Sequence, residues 1–372
     1  MRRNLILQYI YRNGPIGRLQ LGRNLRMSKS RLCEVVQEMI DGGLIIERLT
    51  GTERRGRNPV PLVTNPDYGC FVGLDFEANR MRMVVVDFSG QALYHRQRHL
   101  RPMKNKNTLV VRLLDFIDEG LRFIRGLDAK ILGIGVAAPG IINRWMGMLV
   151  HYDLIEAARN IPLRDLVENH TGFPCVVDNN IRCYALTEWT TGVARNMSNF
   201  ICLAVRSGVG SAIILNGRLL DGSHGFSGEV GYSPVPNGQA ASQWKTLQEL
   251  VSEKALNVDD EAKSFSLSKE KAQMAGELVG AQAASLAVLL DPEAIVLAGA
   301  LLDRDGPLWD IVEQTYGRFI LPGIARRFPL LPSKAGAHAA AVGATQRCLQ
   351  ELYPTSSKAD RVSRQPAATP VL

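Results

Sequence analysis

Phe71-Val72-Gly73-Leu74-Asp75 reads as a buried strand and Met83 to Asp87 as a second, and Ser89-Gly90 makes a tight turn into a third from about Gln91. A helical stretch follows (Leu109, Leu113, Phe116, Ile117, Leu121, Ile124), then an apolar strand from Ile131 to Ala138. The same order returns about 130 residues later. Phe200 to Val205 and Ala212 to Leu215 are strands, Asn216-Gly217 turns into Arg218-Leu219-Leu220, and a long helix around Gln273 to Leu290 leads to a buried strand, Ala294 to Ala298. Two such units in tandem point to duplication, so the fold class is α/β, with two similar lobes facing a cleft. Glycines stand at the strand ends where such a cleft holds a ligand: Pro139-Gly140, Gly208-Val209-Gly210, Gly225 to Gly231, and Gly299. Glycine lets backbone approach a phosphate or a sugar, although each of these also serves as a plain turn.

The chain ahead of this duplication has another pattern. Leu5, Ile6 and Ile10 lie on one helical face, Gly14-Pro15 breaks that helix, and a second short helix runs from about Arg18 to Arg23. Leu32, Val35, Val36, Met39 and Ile40 give the third, with Ser28 as its N-cap and Gly42-Gly43 as its stop. Ser28, Lys29, Ser30, Arg31 and Glu34 fall off its apolar stripe, where a helix-turn-helix presents side chains to base edges. Strand residues 44–49 and 60–63 then flank a tip holding Arg54, Arg55 and Arg57, a hairpin of wing type whose arginines suit phosphates or the minor groove. A protein-docking module of three helices and a hairpin is the alternative reading.

Charge favours the first. The 372 residues carry a formal net charge of +8. Residues 1–68 hold twelve Lys/Arg against six Asp/Glu, the remainder 32 against 30. Basic excess confined to one end suggests a polyanion partner for that end. An apolar fraction of 46% with 22% charged residues excludes collagen-like, coiled-coil and largely disordered classes. The six cysteines are scattered without a C-x-x-C pair, which fits a reducing compartment. No apolar run is expected to span a bilayer, since Asp291-Pro292-Glu293 interrupts Ala283 to Leu302. The short run Leu5 to Tyr11 lacks a cleavage site, so the expected location is the cytoplasm.

Taken together, the winged helix-turn-helix, Gly133-Ile134-Gly135-Val136-Ala137-Ala138-Pro139-Gly140-Ile141-Ile142-Asn143, Asp178-Asn179-Asn180, Gly228-Glu229-Val230-Gly231 and Asp291-Pro292-Glu293-Ala294-Ile295-Val296-Leu297 resemble the ROK family (repressors, open reading frames, sugar kinases), over about residues 1 to 350. The resemblance implies a winged helix-turn-helix (1–66) fused to a duplicated actin-like domain of the ribonuclease H-like, sugar kinase type. Its lobe 1 would be 67–190 with a C-terminal helix at about 336–352, and its lobe 2, 191–335, would oligomerise; 355–372 reads as a disordered tail. The implied partners are a palindromic double-stranded operator, a second or further copies in a homodimer or homotetramer, and a sugar or sugar derivative as effector.

The departures from the family bear on chemistry. Its kinases open the first lobe with Asp-x-Gly-Gly-Thr to cradle ATP phosphates, where this chain has Asp75-Phe76-Glu77-Ala78-Asn79. A carboxylate about 4 Å from a phosphate repels it by roughly 4 kcal/mol at an effective dielectric near 20. A further nucleotide-side glycine pair is reduced to Ala298-Gly299-Ala300. The catalytic Asp of the family's Asn-Asp pair aligns with Asn180, and an amide cannot act as general base. The family's zinc ligands, a His and three Cys, align with Tyr232 and with Gln239 to Thr246, so no metal is expected; His224, nearby, stands alone. No ATP, zinc or catalytic residue is therefore expected. The effector pocket implied by the resemblance consists of Asn179, Asn180, Glu229, Tyr232 and Gln248, able to hydrogen-bond a polyol. Two readings of that pocket stand, an altered ligand or a vestigial pocket. The rival function is a sugar kinase or sugar-binding protein with an N-terminal extension, and a protein ligand for the sensor is a third.

Overall fold

A computed structural model describes residues 2–48, 60–100, 105–155, 158–236, 243–258, 267–320 and 328–354. Arg54, Arg55 and Arg57 of the expected wing tip and the expected disordered tail lie outside the described residues.

The N-terminal unit is α1 (Arg2–Asn13), α2 (Arg18–Asn24), α3 (Lys29–Asp41) and two short antiparallel strands, β1 (Ile45–Glu47) and β2 (Leu62–Thr64). Leu32, Val35, Val36 and Met39 of α3 are buried, as their spacing predicts. Ser28 holds the N-cap position but its hydroxyl makes no capping hydrogen bond. In α1 the buried residues are Ile6, Leu7 and Ile10, whereas Leu5, expected on that face, is exposed. This unit has no core of its own. Its apolar residues form one cluster with Phe71, Val84, Val86 and Phe88 of the body and with Cys348 and Leu349 near the C-terminus. Phe88 seals the seam, its ring 4.7 Å from that of Tyr68 and 5.6 Å from that of Tyr353.

The body shows the duplication. Its first half runs β3 (Cys70–Phe76), β4 (Arg80–Asp87), β5 (Ala92–His99), α4 (Lys106–Gly126), β6 (Ile131–Ala138), a small sheet of β7 (Ile141–Asn143), β8 (Met148–His151) and β9 (Arg159–Ile161), then α5 (Leu163–Thr171), β10 (Cys175–Asn179) and α6 (Asn180–Thr190). The second half runs β11 (Phe200–Val205), β12 (Val209–Leu215), β13 (Arg218–Leu219), β14 (Pro234–Pro236), β15 (Trp244–Thr246), α7 (Leu247–Val251), α8 (Glu253–Leu256), α9 (Lys269–Leu290), β16 (Ala294–Ala298), α10 (Trp309–Phe319), β17 (Leu330–Pro332) and α11 (Ala339–Leu352). The two main sheets have strand orders β10-β6-β3-β4-β5 and β13-β12-β11-β16-β17. In each, the first strand pairs antiparallel with the second and parallel with the strand after the long helix.

The helices that follow β10 and β17 are exchanged between the halves. Ile181, Ala185, Leu186 and Trp189 of α6 pack on β11, β12 and β16 of the second sheet. Helix α11 lies on the first sheet so closely that a Cβ on Gly73 would stand 2.1 Å from the Ala341 carbonyl oxygen. A lobe boundary at 190 therefore assigns α6 by sequence order to one lobe while its apolar face belongs to the other. The two helices form a central spine: a Cβ on Gly343 would lie 1.7 Å from the Cys183 carbonyl oxygen, and Thr187 Oγ1 donates to the Ala339 carbonyl at 2.7 Å. α4 covers the outer face of the first sheet, and α9 with α10 that of the second. α9 corrects the expectation about apolar runs, because by length and composition it could cross a membrane. Its small-residue face, including Gly276 and Gly280, is packed against Ile311 and Thr315 of α10.

Candidate functional site

A cavity of about 420 Å³ lies between the lobes, at the strand ends where the glycines were placed. One wall comes from Pro139-Gly140 after β6 and from the junction of β10 with α6; the other from Ser207 to Ser211 and Gly228-Glu229. Asn179, Asn180, Glu229, Tyr232 and Gln248 all line it. Asn179 has a structural task besides: its Oδ1 accepts from the Ile181 N–H at 2.8 Å, capping α6, and its Nδ2 donates to the Gly140 carbonyl at 3.0 Å. Asn180 opens α6 and is 5% exposed. Gly228 has φ +95°, and a Cβ there would meet the Ser211 carbonyl oxygen at 2.1 Å, so only glycine lets this loop carry Glu229 into the cleft. Burial pushes the Glu229 carboxyl up to about 7, against the opposing charge of Arg182. Burial also raises the Tyr232 hydroxyl, with Asp153 adding to the effect and a hydrogen bond from Gln248 opposing it.

The other end of the cleft is filled by ion pairs. Arg206 Nη2, just past β11, donates to Asp75 Oδ2 at 3.1 Å and lies 3.1 Å from Glu77 Oε1. Arg82 Nη1 donates to Asp75 Oδ2 at 3.1 Å and to Glu77 Oε2 at 3.4 Å, with Arg80 Nε 3.9 Å from the latter. Ser207 Oγ donates to Glu77 Oε1 at 3.3 Å. Burial alone would raise the Glu77 carboxyl; Arg206, Arg82 and Arg80 outweigh it and hold the carboxyl below its usual range. The expectation of a bare repulsive charge at Glu77 is corrected accordingly. That carboxylate is compensated by three guanidinium groups. What it denies a triphosphate is space and donors, both already used within the protein. These residues do not fit a nucleotide phosphate cradle.

A second buried network sits behind the wall formed by the β10–α6 junction. Arg182 donates to Asp178 Oδ1 at 2.8 Å, to the Leu220 carbonyl at 2.7 Å and to Asp221 Oδ1 at 2.5 Å, while Arg347 Nε donates to Asp178 Oδ2 at 2.7 Å. Arg182, Arg206, Arg347 and the cavity-lining His151 were not among the residues expected at the site. The available signal was arginine inside otherwise apolar runs, such as Arg82 in β4 and Arg206 directly after β11. Ser28, Lys29, Ser30, Arg31 and Glu34 form a separate exposed surface on α3, where Arg31 Nη1 pairs with Glu34 Oε2 at 2.6 Å. None of them lines the cleft.

The chain is similar to repressors over most of its length. It is 25% identical over 367 residues to the xylose repressor of Bacillus subtilis (strain 168), covering 92% of this chain and 93% of that protein. It is 26% identical over 372 residues to the N-acetylglucosamine repressor of Escherichia coli O157:H7, covering 91% and 89%. With the xylose repressor of Caldicellulosiruptor bescii it shares 29% identity over 231 residues, 62% of this chain; the chain spans 58% of that relative's length. Among solved structures, a ROK family transcriptional regulator described as a homolog of the E. coli MLC protein superposes with TM-score 0.76 at 22% identity, covering 95% of this chain and 96% of that one. A ROK family glucokinase from Streptomyces griseus superposes with TM-score 0.62 at 22% identity, over 75% and 99%. The model of the ROK family matches residues 71–351, the entire duplicated body from β3 to α11. The chain belongs to the ROK family.

Proposed function

We propose that this chain is a DNA-binding transcriptional repressor of carbohydrate-related genes, built from a winged helix-turn-helix and a catalytically inert, actin-like sugar kinase body that senses a sugar or sugar derivative. The supporting observation is the asymmetry of the cleft. Its sugar-facing half is a cavity of about 420 Å³ whose lining includes Asn179, Asn180, Glu229, Tyr232 and Gln248, while beyond Arg206 at its edge the phosphate-facing half is filled by Asp75, Glu77, Arg80 and Arg82. Asn180 offers an amide where proton abstraction needs a base. The repressor names of the relatives, together with the basic N-terminal unit, favour regulation over phosphate transfer.

On this reading Lys29, Ser30 and Arg31 reach base edges with Ser28 and Glu34 beside them, and Arg54, Arg55 and Arg57 contact phosphates. Asn179, Asn180, Glu229, Tyr232 and Gln248 hold the effector. The protein acts in the cytoplasm as a homodimer or homotetramer on a palindromic operator, without ATP or zinc. Calorimetry with Mg-ATP and a panel of hexoses, run beside gel-shift titrations on mapped genomic sites, tests it. The expected result is specific duplex binding modulated by a sugar, with no saturable ATP binding. Phosphate transfer to a hexose overturns it.

A further inference from the structure

A second cavity, about 430 Å³, lies where α1 of the N-terminal unit meets the α6–α11 spine and the segment 195–198. Two arginines line it, Arg12 and Arg195, and among the described residues not one Asp or Glu does. Arg12 is bound tightly yet left electrically uncompensated. Its guanidinium lies 3.7 Å from the centroid of the Trp189 ring, and its Nη2 donates to the carbonyls of Arg195 at 3.1 Å and Met197 at 3.2 Å. Its buried Nε has no hydrogen-bond partner, and it has no acidic partner among the described residues. Burial pushes its pKa down to about 10, the response of a cation short of counter-charge. Glu293, close to the cavity, is already taken up by the N–H groups of Ser198 and Asn199 at 2.7 and 2.8 Å.

A half-buried arginine with no acidic partner among the described residues, lining a cavity that a second, exposed arginine also lines, has the chemistry of an oxyanion receptor. We propose that this junction is a second ligand site, distinct from the cleft, for a small free oxyanion of the phosphate class. The anion would sit between Arg12 and Arg195, with amide and hydroxyl donors such as Asn196 and Ser198 completing its shell. Because Arg12 belongs to the N-terminal unit and Arg195 to the body, occupancy would tie the two together.

The test uses the full-length chain without DNA, at fixed ionic strength, with inorganic phosphate as the probe and chloride as the control. Saturable calorimetric binding of phosphate, weakened about tenfold or more by Arg12→Gln and by Arg195→Gln, is the expected result. Arg195 is exposed, so its variant keeps the experiment decisive even if Arg12→Gln destabilises the seam. Glu229→Gln, in the cleft, should leave phosphate affinity unchanged. Absence of saturable phosphate binding overturns the proposal, as does binding that both arginine variants retain, which would place the anion elsewhere. A parallel gel-shift titration in which the variants weaken duplex binding, while the unmodified chain takes up no free phosphate, would assign the two arginines to the DNA backbone and would also overturn it.

Discussion

Arg206 of the second lobe donates to the Asp75 carboxylate of the first at 3.1 Å, across the floor of the cleft, with both side chains almost fully buried. The contact ties the two lobes together at the Asp75 end of the cleft. Arg206→Met would strand Asp75 and Glu77 against Arg82 and Arg80 alone. Removing one partner of a buried ion pair typically costs about 3–5 kcal/mol. Urea unfolding should show a loss of that order, and an unchanged midpoint would mean that the pair contributes nothing.

The spine makes a second prediction. Gly343→Ala places a methyl within 1.7 Å of the Cys183 carbonyl oxygen, which is backbone and cannot rotate away. Overpacking of this kind costs about 1–3 kcal/mol or more. Thermal melts should fall by several degrees; a melting temperature equal to that of the unmodified chain would show that α6 and α11 part easily.

Glu229 governs an alkaline effect. Its folded pKa, about 7, is above that of an unfolded carboxyl, so the fold favours the protonated form. The stability this contributes is fully present at pH 4 and below, and is lost as pH rises through 7. Glu229→Gln cannot ionise. Its melting temperature should exceed that of the unmodified chain above pH 7 and converge with it below pH 5, a crossover that scanning calorimetry reads directly.

Asp178 works in the opposite sense. Burial opposes its ionisation, but Arg182, Arg347 and Arg144 outweigh burial and lower its pKa to about 2. Its contribution is present above the unfolded value near 4 and is lost as pH falls toward 2, on the order of 2 kcal/mol in all. Acid titration of stability should show this loss, and Asp178→Asn should remove it while destabilising the neutral protein by leaving Arg182 and Arg347 without their carboxylate.

On the proposed DNA surface, Arg31 is exposed and pairs with Glu34 of its own helix. Arg31→Ala should cost about 1–3 kcal/mol of operator affinity at one base position, while Arg54→Ala should weaken every sequence alike and reduce the salt slope by about one. Gel shifts at several salt concentrations separate the two. Equal losses on specific and random duplexes for Arg31→Ala would refute base reading.

Strands and long helices were legible because burial repeats along them. Ile131–Ala138 and Ala294–Ala298 were read with the bounds observed, since a strand covered on both faces leaves an unbroken apolar run. Asn179, Asn180, Glu229, Tyr232 and Gln248 do line one cavity, but it is the family resemblance, not the local pattern, that picks them out of the sequence. The arginine clusters were not legible. Arg82 looks like a surface residue in the sequence; only the tertiary arrangement, which brings Asp75, Glu77 and Arg206 beside it, makes its burial tolerable. The resemblance implies that the C-terminal helix joins lobe 1, but the crossing of α6 to the other sheet is hidden, because α6 is buried nearly all round and local pattern does not say which sheet it covers. Leu5 was misplaced for a related reason: residues 5 to 7 are all apolar, so periodicity alone could not choose between Leu5 and Leu7.

The shared core of α1–α3 with Phe71, Phe88 and Leu349 has a mechanical outcome. The N-terminal unit is no flail on a string. It is bolted to the chassis, so in the proposed symmetric pair the distance between the two N-terminal units would be fixed by the bodies beneath them. On the proposed function, an effector would release an operator simply by tilting one body against its twin, with every residue of α3 left where it was.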